Sequence, residues 1–332
     1  MSELSELLEQ TIDRMLRDLG GEAAAIADWE PIMAIGVADL FLPEARGGMD
    51  GGWTDAVPVF RLCGYHAVIA PLGETMIARR LLHASDMETG DGPIALAHAT
   101  GALGAGRFTG TVSARSTVIA SARLLASLDG SILLLDPSHA AAADAASNAA
   151  GEPRPCYRFE AAECAHLGGA ATGETLLCFG ALLRAAQIAG ALAASVEKCV
   201  QYAGVRSQFG RPLREFQAIQ HQISLLAEEA AAASAASAAA ALALDRGDGG
   251  FEVACAKLRA NQAAGRAAGI AHQVHGAIGI TEEFGLHRHS QRLWAWRAEF
   301  GNDRHWSRAI GSQVLALPDG DAWRFLTARN SP

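Results

Sequence analysis

The stretch Arg206-Ser207-Gln208-Phe209-Gly210-Arg211-Pro212-Leu213-Arg214-Glu215-Phe216-Gln217 is a polar, glycine-bearing break between two long Ala/Leu-rich runs. About two helical runs later a second break reads Gln273-Val274-His275-Gly276-Ala277-Ile278-Gly279. Arg206, Arg211 and Arg214 bring three cations to the first break; Gln273 and His275 bring hydrogen-bonding groups to the second. Helix ends leave N–H groups unpaired and guanidinium forks fit phosphate oxygens, so such a pair of breaks can hold a phosphate-bearing ligand. The residues suit ordinary helix caps with surface arginines equally well, and chemistry alone leaves both readings open.

Around these breaks the chain reads as helix. Leu176 to Arg206, Pro212 to about Leu244, Phe251 to about His272 and Leu286 to about Glu299 form four runs, the second ended by Asp245-Arg-Gly-Asp-Gly-Gly250. Small residues such as Ala185, Ala189 and Ala193 allow close helix approach, so an antiparallel four-helix bundle is expected. From about Gly92 to Glu160 the period changes. Ile94–His98, Arg107–Val112, Thr117–Ala120 and Ile132–Asp136 are short apolar or alternating runs bounded by Gly, Asp and Pro, a strand signature. Gly101 to Gly106 reads as a glycine-rich turn, since its spacing is wrong for a dinucleotide loop, and His139 to Pro155 reads as an exposed loop. Residues 1 to about 90 are helical again, beginning with an amphipathic helix whose apolar positions are Leu4, Leu7, Leu8, Ile12, Met15 and Leu16. The expected class is α+β: an N-terminal helical domain (1–91), a middle β domain (92–170) and a C-terminal helical bundle (171–332).

The two breaks together resemble the FAD-binding signatures of the acyl-CoA dehydrogenase family: Arg-x-x-Phe-Gly followed by Phe-Gln, and Gln-x-x-Gly-Gly-x-Gly. The first is whole here; in the second, Ala277 stands where the family usually has glycine. Leu42-Pro43-Glu44-Ala45-Arg46-Gly47-Gly48 is similar to a turn of the family's N-terminal domain. The resemblance covers nearly the whole chain, most strongly its C-terminal half. It implies that both segments reach across a subunit interface to a neighbour's FAD. Arg206 would pair with the pyrophosphate, Gln208 hydrogen-bond near it, and Phe209 pack on the adenine side. Leu213, Phe216 and Gln217 would line the adenosine pocket. Gln273, Val274, Gly276 and Ala277 would present side chain and backbone to the pyrophosphate.

The family's reaction needs a glutamate to remove the α-proton of an acyl-CoA thioester while a hydride passes to flavin. Where the resemblance puts that base, about 25 residues beyond the second motif, the chain has Phe300, in Glu299-Phe300-Gly301. Glu299 is one residue early, about 100° round a helix. The alternative family position, on the first bundle helix, falls on Gly180, and Glu174 lies six residues before it. The family's flavin-ring loop, Thr-Glu-Pro-x-x-Gly-Ser-Asp, has no counterpart in Ala97-His98-Ala99-Thr100-Gly101-Ala102, and residues 92–165 contain no Trp. The chain thus resembles the small, non-catalytic subunit of heteromeric bacterial acyl-CoA dehydrogenases, some of which act on steroid side-chain thioesters. That implies a second, catalytic subunit as partner, acyl-CoA bound mainly by that partner, and an electron-transfer flavoprotein as acceptor. A self-sufficient homotetramer using Glu174 or Glu299 as a displaced base, and a flavin-free scaffold on the same fold, remain as alternatives.

Composition narrows the field. A formal net charge of −9 argues against a nucleic-acid partner, and 50% hydrophobic with only 19% charged residues argues for a packed globular chain. Six cysteines without a C-x-x-C pair indicate neither a disulfide framework nor a zinc site, which suits a reducing cytoplasm. The opening Met1-Ser2-Glu3-Leu4-Ser5-Glu6 lacks a signal-peptide pattern. The Ala-rich runs Leu182–Val196 and Ala230–Leu244 read as too short and interrupted for membrane insertion. His287, Arg288, His289, Arg292, Arg297, Arg304 and His305 read as a basic helix face, solvated or drawn to CoA phosphates.

Overall fold

The computed structural model describes residues 3–18, 29–119, 121–168, 171–318 and 321–329. Met1 and Ser2 therefore lie outside the described residues, as do 169 and 170 at the expected boundary between the middle and C-terminal domains. The order of elements is helical, β, helical. Helix α1 (Glu3–Asp18) buries Leu8, Ile12 and Leu16, one face at a spacing of four, against α3 (Trp53–Tyr65). Helices α2 (Trp29–Ala34) and α4 (Leu72–Ala84) complete this region. The Leu42–Gly48 turn needs its glycines: Gly47 has φ +78°, and a Cβ on Gly48 would stand 2.0 Å from the Leu42 carbonyl oxygen.

Seven strands follow: β1 (Ile94–Gly104), β2 (Arg107–Ala114), β3 (Arg123–Leu128), β4 (Ser131–Leu135), β5 (Ala142–Asp144), β6 (Cys156–Glu163) and β7 (Ala165–Leu167). They form one sheet in the order β5-β6-β2-β1-β3-β4-β7, antiparallel except for the β1–β3 pair. Phe108, Val112, Leu124, Leu133, Leu135 and Phe159 fill its own apolar cluster. Strand β1 runs unbroken to a two-residue hairpin at Ala105–Gly106, so Gly101–Gly106 is strand end and turn, as its spacing predicts.

The C-terminal region holds α5 (Gly173–Val205), α6 (Gln217–Asp245), α7 (Gly250–His275) and α8 (Leu286–Trp296), the expected bundle, and then α9 (Asp303–Leu315) and α10 (Ala322–Arg329). Helix α8 ends three residues before Glu299, so that residue lies in a turn; the expectation that helical rotation decides its direction is corrected. Helix α5 crosses α3 backbone to backbone: a Cβ on Gly190 would meet the Arg61 carbonyl oxygen at 1.9 Å. Asp245, at the end of α6, caps the start of α3 by accepting from the Trp53 and Thr54 N–H groups at 2.6 and 2.9 Å.

The reading of the Ala-rich runs also needs correction. Helices α5 and α6 are each long and apolar enough to cross a membrane by length and composition. Within α5 78% of the apolar window is buried inside the protein, against 33% in α6, so α5 is the central core helix and α6 presents an open alanine face.

Candidate functional site at the bundle end and the cleft beneath it

After α5 the chain makes a two-residue hairpin, pairing Ser207–Gln208 with Arg211–Pro212. Phe209 and Gly210 form its turn with φ +51° and +80°, the left-handed pair that a tight hairpin requires. The turn pushes the Phe209 ring into solvent, 92% exposed, at 6.3 Å from Phe216. Arg211 lies over the Phe216 ring at 4.1 Å. Arg206, Gln208, Arg214 and Gln217 are exposed, and Leu213 and Phe216 are half-buried.

The second segment ends α7. Gly276 (φ +62°) breaks the helix, and Gln273, Gly276 and Ala277 are exposed. Val274 is the exception: its side chain is buried at 3% exposure, so only its backbone could face a ligand. Gly279 is a packing glycine, since a Cβ there would meet the His275 Cβ at 2.8 Å. The two segments share one end of the bundle because Tyr202, one turn before Arg206, stacks on His275 at 4.8 Å. Cations, amides and solvent-facing aromatics at one end are a donor set that fits a nucleotide pyrophosphate and its base.

Between the sheet and the bundle lies a cleft of about 590 Å³, bordered by His98 of β1, Ser127 of β3, Glu174 at the start of α5, and Phe300, Asn302 and His305. The two positions where a base is expected meet at this cleft. A Cβ on Gly180 would stand 2.2 Å from Phe300 Cδ1, so the phenyl ring occupies the space that any Gly180 side chain would need. Phe300 takes φ +50°, is 5% exposed, and accepts at its carbonyl from Trp306 Nε1 at 3.1 Å. Glu174 is exposed at the cleft border.

Glu299 points away from the cleft into a buried ion network. Its Oε2 accepts from Arg184 Nε at 2.7 Å, and its Oε1 from Arg154 Nη2 at 2.8 Å and Asn148 Nδ2 at 3.1 Å. Arg184 also donates to Glu74 at 2.9 Å. Glu152 accepts from Arg292 (3.0 Å), Arg154 (2.8 Å) and Trp296 Nε1 (3.1 Å). Three arginines and three glutamates therefore balance where α4, the 148–154 segment, α5, α8 and the 297–301 turn converge. Burial opposes the Glu152 carboxylate, but Arg154, Arg292 and Arg184 outweigh it and hold its carboxyl below the usual range. Sequence reading missed this centre. The expected exposed loop carries two of its charges, and Arg292 and His289 of the expected basic face are buried.

Lys257, fully buried on α7, braces the same turn. Its Nζ lies 2.6 Å from Asn261 Oδ1, 3.0 Å from the Gly301 carbonyl and 3.3 Å from that of Trp296. Burial pulls its pKa down to about 7. Among the described residues no group of three or more His, Cys, Asp or Glu is placed to hold a metal ion.

The chain is similar in sequence and fold to known proteins. The family model described as "Acyl-CoA dehydrogenase, C-terminal domain" matches residues 168–314. Acyl-CoA dehydrogenase IpdE2 of Mycobacterium tuberculosis is 29% identical over 302 residues, covering 86% of this chain and 85% of that protein. Its namesake in Mycolicibacterium smegmatis is 26% identical over 335 residues, covering 95% of this chain and all (100%) of that protein. Among solved structures, the ChsE4-ChsE5 complex from Mycobacterium tuberculosis superposes with TM-score 0.82 at 19% identity, covering 96% of this chain and 99% of that one. The Tcur3481-Tcur3483 steroid ACAD (G363A variant) gives TM-score 0.80 at 22% identity, covering 94% and 97%. Residues 168–314 thus match the acyl-CoA dehydrogenase C-terminal domain, and the chain as a whole is similar to acyl-CoA dehydrogenases in sequence and shares their fold.

Proposed function

We propose that this chain is the non-catalytic subunit of a heteromeric acyl-CoA dehydrogenase, completing the adenosine and pyrophosphate half of a FAD whose flavin ring is held by a catalytic partner. The observation that carries this reading is the contact between Phe300 and Gly180. Both expected base positions are hydrocarbon, and each is shaped by the other, so neither accepts a carboxylate without rebuilding the site. Glu299 makes a poor substitute, because both its oxygens already accept from arginines. The unbroken β1 supports the same reading, since a strand running straight into a hairpin leaves no loop there to hold a flavin ring.

FAD, when bound, supplies the hydride acceptor of the reaction. On this reading Arg206, Gln208 and Gln273 bind phosphate oxygens, with the Gly276 and Ala277 backbone beside them. Phe209, Leu213, Phe216 and Gln217 enclose the adenosine. The open alanine face of α6 would meet another subunit, and acyl-CoA would sit mainly on the partner. The domain division 1–91, 92–170, 171–332, an electron-transfer flavoprotein as acceptor and a cytoplasmic location belong to the same proposal. The two-chain complexes with this fold, one of them named a steroid ACAD, favour a bulky steroid side-chain thioester as substrate. The test is to purify the chain alone and with a co-expressed family partner. Flavin absorbance only in the co-expressed sample supports the proposal; a full complement of FAD on the lone chain contradicts it.

A further inference from the structure

The two nucleotide-facing segments are joined by a cluster of three rings, two buried and one half-buried. His275, immediately before Gly276, stacks on Tyr202 with ring centroids 4.8 Å apart and planes 16° apart. Phe284 closes the cluster edge-on, 5.5 Å from His275 and 5.1 Å from Tyr202. The Tyr202 backbone carbonyl in turn accepts the Arg206 N–H at 2.9 Å, so the residue that stacks on His275 is fixed in the last turn of α5, just before Arg206.

His275 Nδ1 lies 2.9 Å from the Ala271 carbonyl, which assigns the proton of the neutral ring to Nδ1. That leaves Nε2 as a bare lone pair, buried and without a hydrogen-bond partner. A second proton there would create a buried cation, which the Lys198 backbone carbonyl relieves less than burial opposes it. The charged and titratable neighbours do not relieve it. From α5 come Lys198 and the Cys199 thiol, the latter 3.7 Å from Nδ1, and from α7 comes His272. Lys198 is tied to the Phe284 carbonyl at 3.4 Å.

We propose that His275 is a positioning residue that locks the two segments into one nucleotide-binding surface, and that protonating it in mild acid loosens this surface and releases FAD. The inference rests on the functional reading above. Burial above all, with the His272 and Lys198 charges, outweighs the Ala271 and Lys198 backbone carbonyls and holds the His275 pKa below the ordinary histidine value. An opened bundle end exposes the ring at its ordinary pKa of about 6.5, so the open form takes up the proton more readily. Acid below that value therefore pulls the equilibrium toward the open form.

The experiment measures flavin retained by the co-purified heteromeric complex after buffer exchange across about pH 8 to 5, spanning the ordinary histidine range. Wild type is expected to lose FAD as the pH falls through that range. His275→Phe keeps a stacked ring but cannot titrate, and is expected to hold FAD at neutral pH with its acid midpoint lowered by roughly one unit. Tyr202→Leu keeps the imidazole but strips its cover, and is expected to weaken retention at neutral pH roughly 2- to 10-fold and to raise the midpoint. Coincident midpoints for wild type and His275→Phe overturn the proposal. If His275→Phe fails to assemble, an unchanged or lowered midpoint in Tyr202→Leu overturns it alone. A wild-type complex without flavin at neutral pH overturns the functional reading itself, before any variant is compared.

Discussion

The bundle end and the sheet–bundle cleft are built on opposite principles. At the bundle end, Arg206, Gln208 and Phe209 are exposed at and after the end of α5, Phe209 forced outward by its left-handed turn, and Gln273 is exposed on the last turn of α7. At the cleft, the nearby charges turn inward and neutralise one another, and a phenyl ring closes onto a glycine. Unsatisfied donors at a surface invite a ligand, whereas satisfied charges and packed hydrocarbon hold a shape. On the proposed function, one region of this chain binds and the other positions.

The hardest break in that contrast comes from the ion network. Glu152→Ala leaves Arg154 and Arg292 buried without their shared carboxylate, and should lower unfolding stability by roughly 3–5 kcal/mol in a denaturant titration. A loss of only a few tenths would mean that the network does not hold the domains. The Phe300–Gly180 contact comes next. Phe300→Ala should cost about 3 kcal/mol and Gly180→Ala roughly 1–3 kcal/mol, each for its own reason, cavity or clash. The double variant should cost clearly less than the sum, because removing the ring makes room for the new methyl; simple additivity in the cycle would disprove the interlock.

Arg206→Ala sharpens the other side. Stability should hardly move, while FAD affinity of the co-purified complex should fall roughly tenfold, the scale of one charge-assisted hydrogen bond. Equal flavin titrations for wild type and variant would remove Arg206 from the binding surface.

A last prediction concerns the pH dependence of stability through Lys257. Folded, it gives up its proton at about 7; unfolded, it keeps it to about the ordinary lysine value near 10.4. Between those values the unfolded state binds the extra proton, so this group makes stability rise with pH. Lys257→Met should flatten that rise in stability curves measured across the alkaline range, and an unchanged slope would contradict the assignment.

The bundle end was readable because its information is contiguous. Three arginines, a Phe-Gly turn and a Phe-Gln pair announce themselves in twelve residues, and helix periodicity brackets them. The absence of a carboxylate at positions 180 and 300 was equally visible. That the two positions touch was not, since only the fold brings α5 against the turn after α8. Glu152 and Arg154 sit in an Ala/Ser/Pro-rich stretch whose local pattern says loop, and their burial is decided by arginines on other elements. Arg292 failed for the same reason: in a run of His and Arg, periodicity shows a face but not what covers it. His275 was noted as a hydrogen-bonding group, yet its stacking on Tyr202 depends on α5 and α7 ending side by side.

The central claim is that one chain supplies the binding half of a site and another its chemistry. The most direct test is the amount of FAD per subunit in the purified heteromeric complex, from flavin absorbance against protein concentration. One FAD for each pair of unlike chains is predicted. One FAD for every chain would mean that this subunit holds a flavin ring of its own, and the account would be wrong.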